Sequence, residues 1–281
     1  MEIPLQIDTE LLTGPWDCTI EEYHADRQWL SHSALEIFIE SPKKYKNWYD
    51  GVWKREMTAA LRLGSAVDAM LLEPDTFEKW FTVLDVTTRN TTKYRNLKEI
   101  EKREILLRAE FNLTQRMVSA IKSHSWIDEM VSEGRKQATY RYIDPDFGIP
   151  CKVRTDLISE PETVVDVKTS RNPAREPWVR DAAKYGYHRQ EVFYLRGLKA
   201  ANVFENQEPI FFHVVVGSVE PHDVFAYQLD SKSLEMGVWE VEEKLRELKE
   251  RRDKDNWKER NYGEVETVSL PGWYFNKGWE E

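Results

Sequence analysis

Hydrophobic and polar residues alternate over two short stretches in the middle of the chain, 150–158 and 163–169. This pattern is typical of β-strands, in which successive side chains point to opposite faces. The stretch Ser159-Glu-Pro-Glu-Thr163 separates the two, and its Pro161 suits a turn and not a central strand. The pattern therefore predicts a hairpin, in which a five-residue loop places residue 158 opposite residue 164.

Further along the chain in both directions, helical and strand-like patterns alternate. Ser31 or Ser33 caps a helix through Glu40, and Ser41-Pro42 starts a second helix that ends near Gly51. Apolar spacing and composition predict further helices at 61–72, 95–133, 177–184, 187–201 and 231–260. Strands are predicted at 137–143, 210–219 and 224–229. We therefore predict an α/β fold with a central mixed β-sheet flanked by helices.

The composition fits a single folded domain over residues 1–281, with 41% hydrophobic residues and eleven Trp. We divide it into an N-terminal arm and helices (1–60), a core (61–230), and a C-terminal helix with an aromatic tail (231–281). No apolar run approaches about 18 residues, so no membrane association is expected. The two cysteines are too few for a disulfide framework or a four-cysteine iron–sulfur cluster, and a cytoplasmic location is the default.

The net charge of −10 argues superficially against a nucleic-acid partner. The local distribution differs, because six Lys or Arg and only two acidic residues lie between Lys168 and Arg189. This segment is either a basic strip beside a DNA channel or a solvated helix of mixed charge.

The predicted hairpin brings acidic residues together. Asp166 and Lys168 point to the same face, and the register places Asp156 opposite Asp166. Directly opposed like charges destabilise an antiparallel pair unless something compensates. A divalent cation shared by the carboxylates would do so, because hard cations take oxygen ligands. The alternative is a surface hairpin with an ordinary Asp–Lys pair.

A third carboxylate, Asp68, lies in the apolar helix predicted at 61–72. A buried carboxylate without a partner is costly, so a partner is expected. That partner is either an arginine or a helix end, or the same metal ion.

Four blocks in this order resemble the PD-(D/E)XK nuclease superfamily, and within it the RecE-type and RecB-type phage or bacterial exonucleases. The hairpin carries the spacing Asp156-x9-Asp166-x-Lys168. The other blocks, all within residues 31–230, are Gly64-Ser-Ala-Val-Asp-Ala-Met-Leu-Leu-Glu-Pro74, Cys151-Lys-Val-Arg-Thr-Asp156 and Tyr185-Gly-Tyr-His-Arg-Gln-Glu-Val-Phe-Tyr194. The chain departs from the family at Asp68, where relatives carry a metal-binding His. It also has Gln137, or Glu133 just before it, where relatives carry a Glu.

The resemblance implies a Mg²⁺-dependent (or Mn²⁺-dependent) exonuclease that hydrolyses double-stranded DNA, 5′ to 3′, in phage-type recombination. One or two ions would be held by Asp68, Asp156, Asp166 and the carbonyl of Val167, with Asp156, Asp166 and Lys168 as the catalytic residues. We expect Lys168 to act as a cation that orients water and offsets developing charge, or as a base if its pKa is depressed.

Gln190 and Tyr194, four residues apart on one helix face, match the family's Gln-x-x-x-Tyr motif and are expected to help hold DNA. Arg154 and Thr169 are also assigned to DNA binding, and His188 either contacts phosphate or is a satisfied core residue. The resemblance further implies a homo-oligomer, a single-strand annealing protein as partner, and the host cytoplasm if the protein is phage-encoded. Two alternatives stay open, a structure-specific endonuclease on the same fold and a non-catalytic DNA-binding or assembly protein.

Overall fold

Helices and strands alternate along most of the chain in the computed structural model, which describes residues 13–159, 162–205, 207–260, 263, 265 and 267–275. In this part of the chain the helices are α1 (Ile20–Ala25), α2 (His32–Glu40), α3 (Pro42–Tyr49), α4 (Ala59–Leu72), α5 (Phe77–Trp80), α6 (Thr92–Ile100), α7 (Arg108–Lys122), α8 (Ser125–Glu133), α9 (Arg175–Tyr185), α10 (Tyr187–Ala200), α11 (Ser231–Asp253) and α12 (Gly272–Phe275). The strands are β1 (Gly14–Pro15), β2 (Phe81–Leu84), β3 (Glu104–Leu107), β4 (Arg135–Lys136), β5 (Thr139–Ile143), β6 (Pro150–Arg154), β7 (Leu157–Ser159), β8 (Thr163–Ser170), β9 (Ile210–Gly217) and β10 (Val224–Tyr227).

The main sheet has five strands in the order β10-β9-β8-β7-β4. Strands β8 and β9 run parallel, whereas the other three pairs are antiparallel. The predicted α/β fold with a central mixed sheet is therefore confirmed. Its interior strand β9 comes from the apolar run predicted to be buried on both faces, and six of its eight residues are buried.

Helices cover this sheet on both sides, as predicted. On one face, an apolar core joins α2, α3, α10 and α11 to Ile158, Val164 and Phe211 of the sheet, and also to β5 and β6. On the other face, a second core joins α4, α7 and α8 to β7, β8 and β9. The predicted helix starts are confirmed at Ser31 and Ser41, whose side chains accept hydrogen bonds from the first turns of α2 and α3. Asp68 lies in α4, which packs against β8, and it is half-buried.

The hairpin between β7 and β8 has the predicted register. Ile158 pairs with Val164, and Leu157 pairs with Val165. Asp156, the residue just before β7, therefore lies level with Asp166 of β8. Glu160 and Pro161 of the connecting loop lie outside the described residues. The register could be anticipated because period-2 alternation and a single turn signal leave few alternatives.

The single strand predicted over 150–158 was wrong, because the structure divides it into β6 and β7. Strand β6 pairs with β5 in a separate sheet of order β1-β5-β6, and β7 pairs with β4 and β8. The partner strand breaks at the same level, where Gln137 adopts a left-handed φ of 52° and its N–H donates to the Asp156 carbonyl. The two strands thus bend together, and the bend releases Asp156 from regular pairing.

The continuous helix predicted over 95–133 was also wrong. Strand β3 interrupts it and pairs in parallel with β2. The apolar run Ile105-Leu106-Leu107 suits either state, and its partner β2 lies more than 20 residues earlier in the chain. Local periodicity therefore could not distinguish the two.

The C-terminal helix is shorter than predicted, ending at Asp253. In the aromatic tail, the short helix α12 exposes Tyr274 and Phe275, whereas residues 276–281 lie outside the described part. None of the helices within the described ranges combines the length and apolar character needed to cross a lipid bilayer.

Gly186 separates α9 from α10 with a left-handed φ of 70°. A β-carbon there would overlap the Arg189 guanidinium, which Glu36 and Glu240 hold at 2.7 and 2.6 Å. We expect Gly186→Ala to lower the free energy of unfolding by about 1–2 kcal/mol from backbone strain. Displacing Arg189 from these ion pairs adds a further loss. Urea unfolding followed by circular dichroism measures the sum.

Gly148 provides the matched control, because it has a φ of 66° and open space where a β-carbon would lie. Gly148→Ala should therefore incur only the backbone strain. Equal losses in the two variants would show that the contact with Arg189 contributes nothing.

Candidate active site

The candidate site lies where β8 passes the bend between β6 and β7. Asp166 and Lys168 are two residues apart on β8, and the Lys168 ammonium forms an ion pair with Asp166 Oδ2. Asp156 points to the same strand, since its Oδ2 accepts a 2.8 Å hydrogen bond from the N–H of Val167. The structure thus brings together the three residues predicted as catalytic, and Val167 contacts Asp156 through its amide.

Asp166 is the most deeply held of these groups, with 2% of its surface exposed. Its Oδ1 accepts a 2.8 Å hydrogen bond from Gln190 on α10. Its Oδ2 lies 3.2 Å from His213 Nδ1, and the other ring nitrogen of His213 lies 3.1 Å from Glu191 Oε2. Burial alone would raise the pKa of Asp166, but Lys168 and His213 outweigh it and lower that pKa, which keeps the group ionised.

Asp156 and Asp68 behave in the opposite way. Burial and the charge of Asp166 raise the pKa of Asp156 to about 7. Burial, followed by the charge of Asp156, raises the pKa of Asp68 well above its ordinary value, and Asp166 adds to this. The three carboxylates are therefore close enough for the charge of Asp166 to disfavour ionisation of Asp156, and for both charges to disfavour ionisation of Asp68.

Lys168 is the cation among these carboxylates. Burial disfavours its charged form, but the charges of Asp166 and Asp156 outweigh burial and raise its pKa. Its ammonium also lies 5.1 Å from the centre of the Tyr187 ring. Lys168 is thus a cation in this environment, which favours the predicted electrostatic role over that of a base.

The donor set fits a hard divalent cation by its chemistry. All three carboxylates offer oxygen, and Asp68 receives no hydrogen bond from any residue in the described part of the chain. The raised pKa values of Asp68 and Asp156 show that Lys168 does not offset the charge of all three acidic groups. The three carboxylates do not form a preformed metal site. Among the described residues, no three His, Cys, Asp or Glu side chains are arranged so that they could hold a metal ion. Asp68, Asp156 and Asp166 would hold an ion between them if the Lys168 ammonium no longer occupied Asp166 Oδ2.

The residues assigned to DNA binding fall into two groups. Gln190 and Tyr194 lie beside the site. Burial is the main cause of the raised pKa of Tyr194, and the charges of Asp166 and Asp156 contribute to it. Thr169 follows Lys168 on β8 and faces Gly64 of α4.

Arg154 and His188 instead have protein partners. Arg154 donates to Gln137, to Thr139 and to the Cys18 carbonyl, and His188 lies 3.1 Å from Glu240. Gln137 thus supports Arg154, and Glu133 is exposed at the end of α8.

Sequence reasoning missed His213 and Glu191, which complete the buried hydrogen-bond chain from Asp166. A signal was present in the sequence, because His213 is the polar residue within the apolar run Ile210-Phe-Phe-His-Val-Val-Val. A polar side chain in a buried strand needs a buried partner. Its partner Glu191 could not be identified, since it lies on a different element, α10.

Comparisons with known proteins agree with this fold. Residues 31–270 match the family model described as PDDEXK-like domain of unknown function (DUF3799). A solved structure from Eubacterium rectale, provisionally named an exonuclease, is similar in fold, with a TM-score of 0.66 and 18% sequence identity over 94% of this chain and 99% of that one. No curated protein sequence matches the chain. The chain therefore belongs to the PDDEXK-like DUF3799 family and has the fold of the PD-(D/E)XK nucleases.

Proposed function

We propose that this protein is a Mg²⁺-dependent exonuclease that hydrolyses phosphodiester bonds of double-stranded DNA, with 5′-to-3′ polarity, in phage-type recombination. The nuclease class rests on the family, whose model is described as a PDDEXK-like domain. The observation that carries the proposal is the convergence of Asp156, Asp166 and Lys168, with Asp68 in electrostatic contact. Substrate, polarity and pathway rest on the resemblance of the sequence blocks to RecE-type and RecB-type exonucleases.

The ionised Asp166, with Asp156 and Asp68, would hold the divalent cation. Such an ion polarises a scissile phosphate and lowers the pKa of water. Lys168 contributes positive charge where the phosphate gains negative charge during hydrolysis. Gln190 and His213 contact both oxygens of Asp166, so the orientation of this carboxylate does not depend on Lys168 alone. A cytoplasmic location fits the two free cysteines, Cys18 and Cys151.

Digestion of linear duplexes labelled at either the 5′ or the 3′ end, with Mg²⁺ and Mn²⁺ titrated, tests the proposal. We expect early release of nucleotides from the 5′-labelled end and no attack on closed circular duplex. Cleavage of closed circles would favour the endonuclease alternative. Absence of any nucleotide release with either metal would contradict a nuclease function and favour a non-catalytic DNA-binding protein.

Asp68→Asn tests the helix carboxylate. The amide keeps the size of the side chain but removes a charge from the candidate ligand set, so the apparent affinity for Mg²⁺ should fall by about 10–100-fold. The measurement is the Mg²⁺ concentration that gives half-maximal hydrolysis of linear duplex. Asp75→Asn is the control, because Asp75 is an exposed carboxylate just beyond the same helix. If Asp68→Asn leaves the Mg²⁺ titration unchanged, Asp68 is structural.

A further inference from the structure

A continuous path of ring contacts leads from the candidate site to the protein surface. The Lys168 ammonium lies 5.1 Å from the centre of the Tyr187 ring. The centre of that ring is 6.1 Å from the centre of the Tyr185 ring, and the Lys184 ammonium lies 5.0 Å from the latter. These four residues therefore join the site to the end of α9.

The inner part of this path is fixed in place. Tyr187 stacks on His213 with ring centres 5.9 Å apart, and His213 is the buried residue bonded to Asp166. Helix α9 is anchored by Trp178, which is 2% exposed and stacks on Tyr227 with ring centres 4.3 Å apart. The position of Tyr185 relative to Asp166 is thus set by packed side chains.

The outer part of the path is open to solvent and basic. Tyr185 is 50% exposed, and Lys184 beside it is exposed. Arg180 lies one turn earlier on the same face as Lys184 and is 80% exposed, with one ion pair, to Glu176, at 3.9 Å. An ion pair this exposed holds Arg180 only weakly, so its charge is available to a ligand.

We propose that Tyr185 is a stacking platform for a base in an unpaired end of the DNA strand, with Lys184 and Arg180 contacting the adjoining phosphates. Aromatic rings beside cations bind single strands in this way, because every base has a π-face and every linkage a negative charge. The inference rests on the proposed nuclease function, and it identifies which strand segment lies next to the site. A duplex offers no exposed base face except at its end, so the platform selects a frayed or single-stranded terminus.

The test is binding of an oligonucleotide duplex with a short unpaired end that contains 2-aminopurine, in EDTA so that no hydrolysis occurs. Stacking on a tyrosine quenches 2-aminopurine fluorescence. We expect quenching with the wild type, and wild-type binding affinity with Tyr185→Phe, which keeps the ring for stacking but not the phenol that quenches. Tyr185→Ala should lose the quenching and bind about 5- to 100-fold more weakly. The control is Trp239→Ala, which removes a 60% exposed aromatic residue from α11 and should leave both readings unchanged.

The phosphate contacts have a separate readout. Replacing Lys184 and Arg180 together with Gln should lower the slope of log affinity against log salt by about 1 to 1.5, as expected for two lost contacts to a single strand. Replacing Lys199 and Lys249, exposed lysines on α10 and α11, removes the same charge and should leave the slope unchanged.

The platform and the nuclease function fail in different ways. A wild-type protein that digests duplex but gives no quenching, or equal quenching with Tyr185→Ala, overturns the platform and leaves the nuclease intact. A wild-type protein that neither binds nor digests DNA overturns both.

Discussion

Replacing Lys168 with alanine is expected to reduce DNA hydrolysis by about a hundred- to a thousand-fold, the usual effect of removing one preorganised charge-stabilising group. The ammonium forms an ion pair with Asp166, two residues earlier on the same strand. Its pKa is raised by Asp166 and Asp156 despite burial, so it meets the substrate with its charge. The measurement is the single-turnover rate of nucleotide release from linear duplex at saturating Mg²⁺.

The fold of Lys168→Ala should stay intact, because Asp166 keeps its hydrogen bonds to Gln190 and His213. Circular dichroism and the urea midpoint check this. Lys168→Arg keeps the charge but not the compact ammonium, so partial activity is expected. The control is Lys249→Ala, which removes an exposed lysine from α11. Near-normal hydrolysis by Lys168→Ala would remove Lys168 from the mechanism.

The hairpin could be predicted in detail because its determinants are local. Strand alternation fixes which side chains share a face, and the loop length fixes the partner of each residue. Those two rules placed Asp156 level with Asp166 before any three-dimensional information. The position of Asp68 next to them is a different kind of prediction, since it rests on the resemblance and on the cost of an unpartnered carboxylate in an apolar helix.

The errors concern pairing between distant segments. Nothing local to Thr155 indicates that the strand changes partner there, because the change depends on the left-handed Gln137 in the neighbouring strand. Strand β3 likewise depends on β2, and its apolar triplet alone suits a helix equally well. Neither error affects the predicted site. Asp156 still contacts β8 at the bend, through its hydrogen bond from Val167.

The two hairpin carboxylates differ in protonation partly because of residues that lie outside the hairpin, on α10 and β9. Asp166 is ionised because Lys168 and His213 lower its pKa despite burial, whereas burial and the charge of Asp166 raise the pKa of Asp156 and dispose it to take a proton. Sequence analysis identified Gln190 only through a family motif, and it did not identify His213. The asymmetry between the two carboxylates is therefore a property of the tertiary structure.

Replacing His213 with leucine is expected to lower the free energy of unfolding by about 3–5 kcal/mol, the usual cost of leaving a buried ionic partner unpaired. His213 is fully buried between Asp166 and Glu191, both 2% exposed, and leucine donates to neither. Urea unfolding in EDTA measures the loss. Glu191→Gln keeps a polar partner for the imidazole and should cost less than about 1.5 kcal/mol.

Two further measurements separate this electrostatic role from simple packing. The double variant His213→Leu with Glu191→Leu removes one unpaired carboxylate and should recover part of the loss, because apolar pairs replace buried ionic pairs well. Burial lowers the pKa of His213, but Asp166 and Glu191 outweigh burial and raise it. The stabilisation by the imidazolium is therefore complete below the unfolded pKa of about 6.5 and is lost as the pH rises through the folded pKa. The difference between wild type and His213→Leu should thus be larger at about pH 6 than at about pH 9. A pH-independent difference with no recovery in the double variant would show that His213 acts only as a space-filling ring.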